Sequence, residues 1–178
     1  MFELSTAKDE FVSAYTNKLE IGAGATDDFD RNGLRLGRWS VGLFGCLSDC
    51  IPNGFMAFLC PGVSVAQIGA RLGLVRYKLM LQVCAALYLL LLLTVAMDSV
   101  VLNFFCVVVA VAAASAVVRL RMKMRVLFDI PGNIALDVAS VFLCAPCAVA
   151  QMANHAQAYK PGTCLFRARS TLEGYVRQ

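Results

Sequence analysis

The sequence has few charges and few of the side chains on which enzyme active sites depend. Of its 178 residues 16% are charged, whereas an average soluble domain has about 25%. Histidine and tryptophan occur once each. The sequence contains no phosphate-binding glycine loop, no nucleophile elbow and no pair of carboxylates beside a base. We therefore expect a protein without enzymatic activity and without a catalytic or cofactor-binding residue.

Signals for export and for lipid attachment at the ends of the chain are also missing. The first twenty residues contain acids and no apolar stretch, so they do not read as a secretory signal peptide. Neither a myristoylation start nor a prenylation box is present. Residues 1–40 hold five basic and seven acidic side chains. We expect residues 1–38 to form a cytosolic arm, and we expect no binding of nucleic acid.

Two long uncharged stretches are the dominant feature of the chain. They cover residues 79–97 and 100–118. Each forms a helix about 28 Å long, close to a hydrocarbon core of about 30 Å. Because a backbone in lipid must satisfy its own hydrogen bonds, helix is the expected form. Only Asp98 and Ser99 separate the stretches, which predicts a two-span transmembrane helical hairpin in an all-α membrane protein.

Basic residues flank both predicted spans, and the turn between them carries only Asp98. The flanking residues are Arg71, Arg76, Lys78, Arg119, Arg121, Lys123 and Arg125. The positive-inside rule then predicts an integral membrane protein, which we expect in the plasma membrane with both termini cytosolic. The cluster after the second span is expected to contact anionic lipid: Arg119, Arg121, Lys123 and Arg125.

Two further uncharged blocks are interrupted by proline and glycine. Residues 51–70 contain no charge, and residues 130–159 contain only Asp137. Proline costs about 3 kcal/mol in a helix interior. Two more spans would also place the basic tail, residues 160–178, outside the cell, against the charge rule. We expect two broken, cysteine-bearing segments that are interfacial or re-entrant; four spans are the alternative.

The two broken blocks repeat one sequence. FLCPGVSVAQ (residues 58–67) and FLCAPCAVAQ (residues 142–151) share Phe, Leu, Cys, Val, Ala and Gln at matching places, and the second copy has a C-x-x-C spacing. Eight cysteines are present in all. Cys84 and Cys106 lie in the spans, and the other six lie in segments placed on the reducing side, where disulfides are rare. Metal ligation, acylation and packing remain open for these thiols.

The order of motifs resembles one known family. WSVGLFGCLSDC (residues 39–50), the repeated block, R-x-K-x-R (residues 121–125) and D-x(6)-C-x-x-C-A-x-x-Q (residues 137–151) follow one another. This set is similar to the cysteine-rich PLAC8 family, which includes plant cadmium-resistance and cell-number-regulator proteins. The resemblance implies a PLAC8-like domain over residues 39–159.

The resemblance implies transport of, or tolerance to, a cation or heavy metal such as cadmium, zinc or calcium. The alternative is a membrane-anchored scaffold that regulates cell number without transport. A third hypothesis is a lipid-interface protein whose acylated cysteines and basic cluster organise anionic lipid. Two spans cannot enclose a pore, so we expect a homo-oligomer.

The strongest metal candidate is the pair Cys144 and Cys147, because two thiolates at this spacing can hold one soft cation such as zinc or cadmium, transiently or structurally. Further candidate ligands are Cys46, Cys50, Cys60, Asp49 and Asp137. The two acids stand in otherwise uncharged stretches, where a carboxylate is costly; they fit a cation path, a helix N-cap, or partners for the basic cluster. The lone histidine, His155, is expected at the surface.

Overall fold

The computed structural model describes residues 29–47, 50–97, 99–160 and 162–173. These residues are helical, and no strand occurs among them beyond an isolated bridge between Phe29 and Arg35. The predicted all-helical class is confirmed. Short 3-10 and π-helical turns at Leu43–Leu47 and Cys50–Gly54 precede six α-helices: α1 (Phe55–Leu59), α2 (Pro61–Arg71), α3 (Tyr77–Met97), α4 (Val100–Leu127), α5 (Ile134–Leu143) and α6 (Ala145–His155).

Helices α3 and α4 are long and apolar enough to cross a membrane, with mean hydropathies of 2.4 and 2.6. Helix α3 begins two residues before the predicted span, at Tyr77, and α4 continues nine residues beyond it, to Leu127. The basic cluster therefore lies on the last turns of α4 rather than after the helix. Arginine, lysine and methionine are good helix formers, and two of the arginines find partners on α5.

The repeated sequence forms a repeated helix–break–helix structure. The first copy breaks at Cys60 between α1 and α2, and the second breaks at Cys144 between α5 and α6. The two cysteines have similar backbone angles, φ −134° and ψ 61° against φ −156° and ψ 85°. Each precedes a helix with proline in its first two positions, where proline is well tolerated. The axes of α5 and α6 differ by 115°.

The described residues provide fewer candidate spans than the four-span alternative requires. Two helices qualify as spans by length and composition, and α5 with α6 would count as a third only if the bent pair were one span. The bend at Cys144 returns α6 toward the core instead of continuing the direction of α5.

Matching positions of the two copies are buried in the same way. Helices α2 and α6 pack against each other, and Gln67 and Gln151 are both buried. Where the second copy has Cys147, the first has Val63, and both side chains lie in the core. The second cysteine of C-x-x-C therefore stands at a core position that an aliphatic side chain fills in the other copy.

The hydrophobic core lies where α2 and α6 meet the start of α3 and the end of α4. Its largest buried apolar side chains are Leu34, Met56, Ile68, Met124, Phe128, Val149 and Met152. The C-terminal segment contributes as well, because Leu172 is buried in this core and its amide donates to the Arg71 carbonyl at 2.9 Å. The predicted basic tail is thus attached to the end of α2 at Leu172.

Helices α2 and α3 approach closely at a glycine. The Cys84 thiol lies 3.6 Å from the Gly62 carbonyl oxygen, and a Cβ atom at position 62 would lie 2.9 Å from both Cβ and Sγ of Cys84. Glycine is needed here because any side chain would separate the two helices.

Replacing Gly62 with alanine should therefore lower the free energy of unfolding by about 1–3 kcal/mol, as overpacking does. Thermal unfolding in mild detergent, followed by the fluorescence of the single tryptophan, measures the change. Gly42→Ala is the matched control, because a Cβ there meets nothing within 4 Å. Equal melting of the two variants would contradict the close contact between α2 and α3.

Candidate functional site

A buried ion pair joins the end of α4 to the first turn of α5. Arg121 Nε lies 3.1 Å from Asp137 Oδ1, and Arg125 Nη1 lies 2.5 Å from Asp137 Oδ2. Arg121 is 5% exposed and Asp137 is 2% exposed. A carboxylate so far from water is stable only when its charge is paired and its oxygens are hydrogen-bonded, and here two guanidinium groups do both.

The same arginine reaches two more segments. Arg121 Nη1 donates to Gln151 Oε1 on α6 at 2.7 Å, and Gln151 Nε2 donates to the Val41 carbonyl at 2.8 Å. The Arg121 guanidinium also lies 4.5 Å from the centre of the Trp39 ring, a cation–π contact. One side chain therefore connects α4, α5, α6 and the segment before the first helical turn.

Arg125 holds the turn between α4 and α5. Its Nε donates to the Ile130 carbonyl at 3.3 Å, and its Nη1 donates to the Asn133 carbonyl at 3.0 Å. Gly132 has φ +154°, and a Cβ there would lie 2.8 Å from Arg125 Cζ. The Asn133 side chain accepts from the Leu136 amide and caps α5. The turn residues thus leave room for the guanidinium that neutralises Asp137.

His155 is buried, so the expectation of a surface histidine is wrong. Its Nδ1 accepts from the Ser40 amide at 3.2 Å and lies 3.0 Å from the Ser40 hydroxyl. Its ring makes edge contacts with Trp39 and Phe128, at centroid distances of 5.2 and 4.6 Å. Burial, with a smaller effect of the positive Arg35, lowers the pKa of His155 to about 4, so the ring is neutral at pH 7.

The chain matches the PLAC8 family model over residues 39–155. It belongs to the PLAC8 family. The first and last residues of the match, Trp39 and His155, are in ring contact, so the two ends of the matched region meet.

The maize protein described as "Cell number regulator 4" is 30% identical to this PLAC8 chain over 116 residues. The match covers 65% of this chain and 64% of the maize protein. The chain therefore spans just under two thirds of that relative's length. No solved structure gives a significant match.

The cysteines of the PLAC8 motif are not all free thiols. Cys144 and Cys147 are joined in a disulfide, with their Cα atoms 5.2 Å apart, whereas sequence analysis expected unpaired thiols. The break at Cys144 folds its sulfur over the first turn of α6, where it also accepts from the Cys147 amide at 3.3 Å. Free thiols remain at Cys60, Cys84, Cys106 and Cys164.

Among the described residues, no further metal candidate joins this pair in a group of three ligands. Asp49 and the side chains of Cys46 and Cys50 lie outside the described residues. Cys60 lies at the other helix break, and Asp137 is occupied by two arginines. Within the described part of the chain, no three His, Cys, Asp or Glu side chains group as metal ligands do. Of the roles considered for Asp137, the structure shows partnership with the basic cluster.

The basic cluster itself is divided between two environments. Arg121 and Arg125 face α5 and bind Asp137, so Arg121 is not available to a lipid headgroup. Arg119 is exposed, and Lys123 is half-buried. The expected lipid contact is thereby reduced to the outward-facing part of the cluster.

Sequence reasoning missed Trp39, Ser40 and Gln151 as partners in the network. A signal was present, because Trp39 and His155 are the only residues of their kinds and Asp137 is the only charge in residues 130–159. A lone charge in an apolar block needs a counter-charge from elsewhere in the chain. The basic residues closest to that block in sequence are Arg119, Arg121, Lys123 and Arg125 before it and Lys160 after it.

Breaking the ion pair should destabilise the fold strongly. Asp137→Ala leaves Arg121 buried without a counter-charge, and such a loss costs about 3–5 kcal/mol. Denaturant unfolding in detergent measures the change. Arg119→Ala, two residues earlier on the same helix and exposed, should change stability by less than about 0.5 kcal/mol. A variant at position 137 as stable as the one at position 119 would contradict the buried pair.

The burial of His155 predicts an acid-sensitive fold. Since the folded-state pKa of about 4 lies below the unfolded value of about 6.5, stability is complete above pH 6.5 and is lost as pH falls toward 4. Between pH 7 and pH 5 the free energy of unfolding should drop by about 2 kcal/mol. In His155→Phe this pH dependence should vanish. An unchanged slope in that variant would assign the dependence to other groups.

Proposed function

We propose that this PLAC8 protein is a non-enzymatic integral membrane protein that moves a soft divalent cation, such as zinc or cadmium, as a homo-oligomer. In this proposal α3 and α4 cross the plasma membrane and both termini are cytosolic. The observation that carries it is the repeated helix break with a cysteine at each break, at Cys60 and Cys144. Paired interrupted helices are the places where transporters bind their ions, and broken backbone is tolerated at membrane depth only against protein or a cavity.

Thiolates at the breaks supply the ligand chemistry. Once a cellular dithiol or glutathione has delivered two electrons and two protons to the disulfide, Cys144 and Cys147 offer two soft ligands, and Cys60 offers a third at the other break. Zinc and cadmium sites are commonly four-coordinate. Further ligands in the proposed site come from Cys46, Asp49 and Cys50 of the same chain or from a second copy.

The second candidate function is a membrane-anchored regulator of cell number without transport activity. Two observations favour it. The first is that the maize relative carries the name "Cell number regulator 4". The second is that the ligands that transport would use are already engaged: Asp137 pairs with Arg121 and Arg125, and Cys144 is bonded to Cys147. In this alternative the ion-pair network serves to hold a rigid platform at one end of the spans.

Metal tolerance of a sensitive host separates the two candidates. Replacement of both Cys144 and Cys147 with serine should reduce cadmium or zinc tolerance to that of cells without the protein, because serine is a poor ligand for soft metals. Cys106→Ala is the matched control and should retain tolerance, since this free thiol lies on α4 and at neither break. Protein amount and membrane location are measured in parallel, because lost acylation would also mislocalise the protein.

Two outcomes would count against transport. A double serine variant that reaches the membrane and confers full tolerance would remove the thiol-based mechanism and favour the regulator. A wild-type protein that confers no tolerance and carries no cation flux in liposomes would remove transport altogether.

A further inference from the structure

The two helix breaks carry the same exposed apolar pair immediately before the cysteine. Phe58 and Leu59 are 61% and 63% exposed, and Phe142 and Leu143 are 74% and 78% exposed. The residues that follow each break turn into the core. Large apolar side chains that protrude side by side mark an interaction surface. We call these four residues the break tips.

Contacts with α3 give the position of the first tip. Gly62, two residues after the break, lies against Cys84, and its amide is 3.5 Å from the Tyr88 hydroxyl. The last charged residue before the apolar part of α3 is Lys78. At 1.5 Å per residue, Cys84 lies about 9 Å further along the helix than Lys78. The first break is therefore level with the uncharged part of α3.

Contacts with α4 give the position of the second tip. Asp137 is opposite Arg121, and Val141 packs in one cluster with Val118, so α5 runs antiparallel to α4. The break at Cys144 is three residues beyond Val141, about 5 Å further toward the uncharged part of α4. The second break thus also lies past the last charge of its long helix.

Both tips lie at the same end of the two long helices, where α3 begins and α4 ends. One leaflet of a bilayer is about 15 Å of hydrocarbon, half of a core of about 30 Å. Tips about 5 to 9 Å beyond the last charges therefore reach into one leaflet and stop short of the other. Exposed basic side chains stand at the rim, where anionic headgroups lie: Arg76, Lys78 and Arg119. Depth and charge together identify lipid as the occupant of this surface.

We propose that the two break tips form a one-sided lipid wedge, inserted in the leaflet at the basic end of the chain, and that the protein consequently favours strongly curved anionic membranes. The inference rests on the membrane insertion of α3 and α4 proposed above and is independent of transport. The physical basis is a difference in the cross-sectional area of the protein between the two leaflets. Two long helices and two inserted tips occupy one leaflet, whereas the long helices alone occupy the other.

Depth is tested with tryptophan placed at the tips. Leu59→Trp and Leu143→Trp in the full chain, reconstituted in phosphatidylcholine–phosphatidylserine vesicles, should be quenched by lipids brominated in mid-chain and protected from aqueous iodide. Leu165→Trp is the control, because Leu165 is an exposed apolar residue next to Phe166, whose carbonyl accepts from the Tyr77 hydroxyl before Lys78 on α3. It should show the opposite behaviour. The emission of Trp39, measured in the wild type, is subtracted in each case.

Two results would overturn the insertion. Iodide quenching of the tip positions equal to that of position 165 would place the tips in water. Protection from both quenchers would mean that protein, such as a second copy, covers the tips in place of lipid.

Curvature preference is tested by the density of dye-labelled protein on small and large vesicles. Only chains whose basic end faces outward are counted. For these chains the surface density of the wild type should be several-fold higher on small vesicles than on large ones. Combined serine substitution at Phe58, Leu59, Phe142 and Leu143 should abolish this enrichment, whereas Leu165→Ser with Phe166→Ser should preserve it. Density independent of vesicle size in the wild type would overturn the wedge. Cation flux measured in the same vesicles reports separately on transport.

Discussion

The buried carboxylate of Asp137 is the constraint on which the rest of the structure depends. Removing a charge from water is costly, and the cost is offset only when cationic partners and hydrogen bonds are complete. Arg121 and Arg125 complete them from α4, and Gln151 and Trp39 then hold Arg121 from two other directions. Helices α4 and α5 must be in place before this charge is satisfied, and α6 and the segment at Trp39 then fix Arg121. The network therefore favours one arrangement of these four segments.

This constraint accounts for the spacing of two arginines, for one glycine and for several aromatic residues of the sequence. Arginines four residues apart lie on one helix face, so Arg121 and Arg125 both reach α5 only if α4 remains helical through the basic cluster. The glycine before Asn133 makes room for the second guanidinium. A layer of rings begins beside Arg121, where Trp39 lies against the guanidinium, His155 packs on Trp39, and Phe128 packs on His155. Such apolar surroundings strengthen the electrostatic interaction beside them.

The two copies of the repeated block share one backbone conformation, but each copy contacts a different neighbouring segment. In both copies a cysteine ends one helix, a proline lies in the first two positions of the next, and a glutamine is buried seven residues after the cysteine. Gln67 donates to the Leu165 carbonyl of the C-terminal segment, whereas Gln151 donates to the Val41 carbonyl of the N-terminal one. Each copy therefore binds one of the segments that flank the domain. The copies differ at one matching core position, which Val63 fills in the first copy and Cys147, bonded to Cys144, fills in the second.

Local properties determined what could be known from the sequence alone. Uninterrupted apolar length is enough to specify helices that can span a membrane, and proline and glycine are enough to specify breaks, because both act within a few residues. The order of motifs identified the family. The specific partner of each polar side chain could not be known in the same way. Contacts such as Arg121 with Asp137, or Ser40 with His155, join residues that are not neighbours in sequence, and many other pairings are compatible with the same composition. Only the packing of α4, α5 and α6 decided that the lone histidine is buried, that half of the basic cluster faces inward, and that two thiols meet across a helix break.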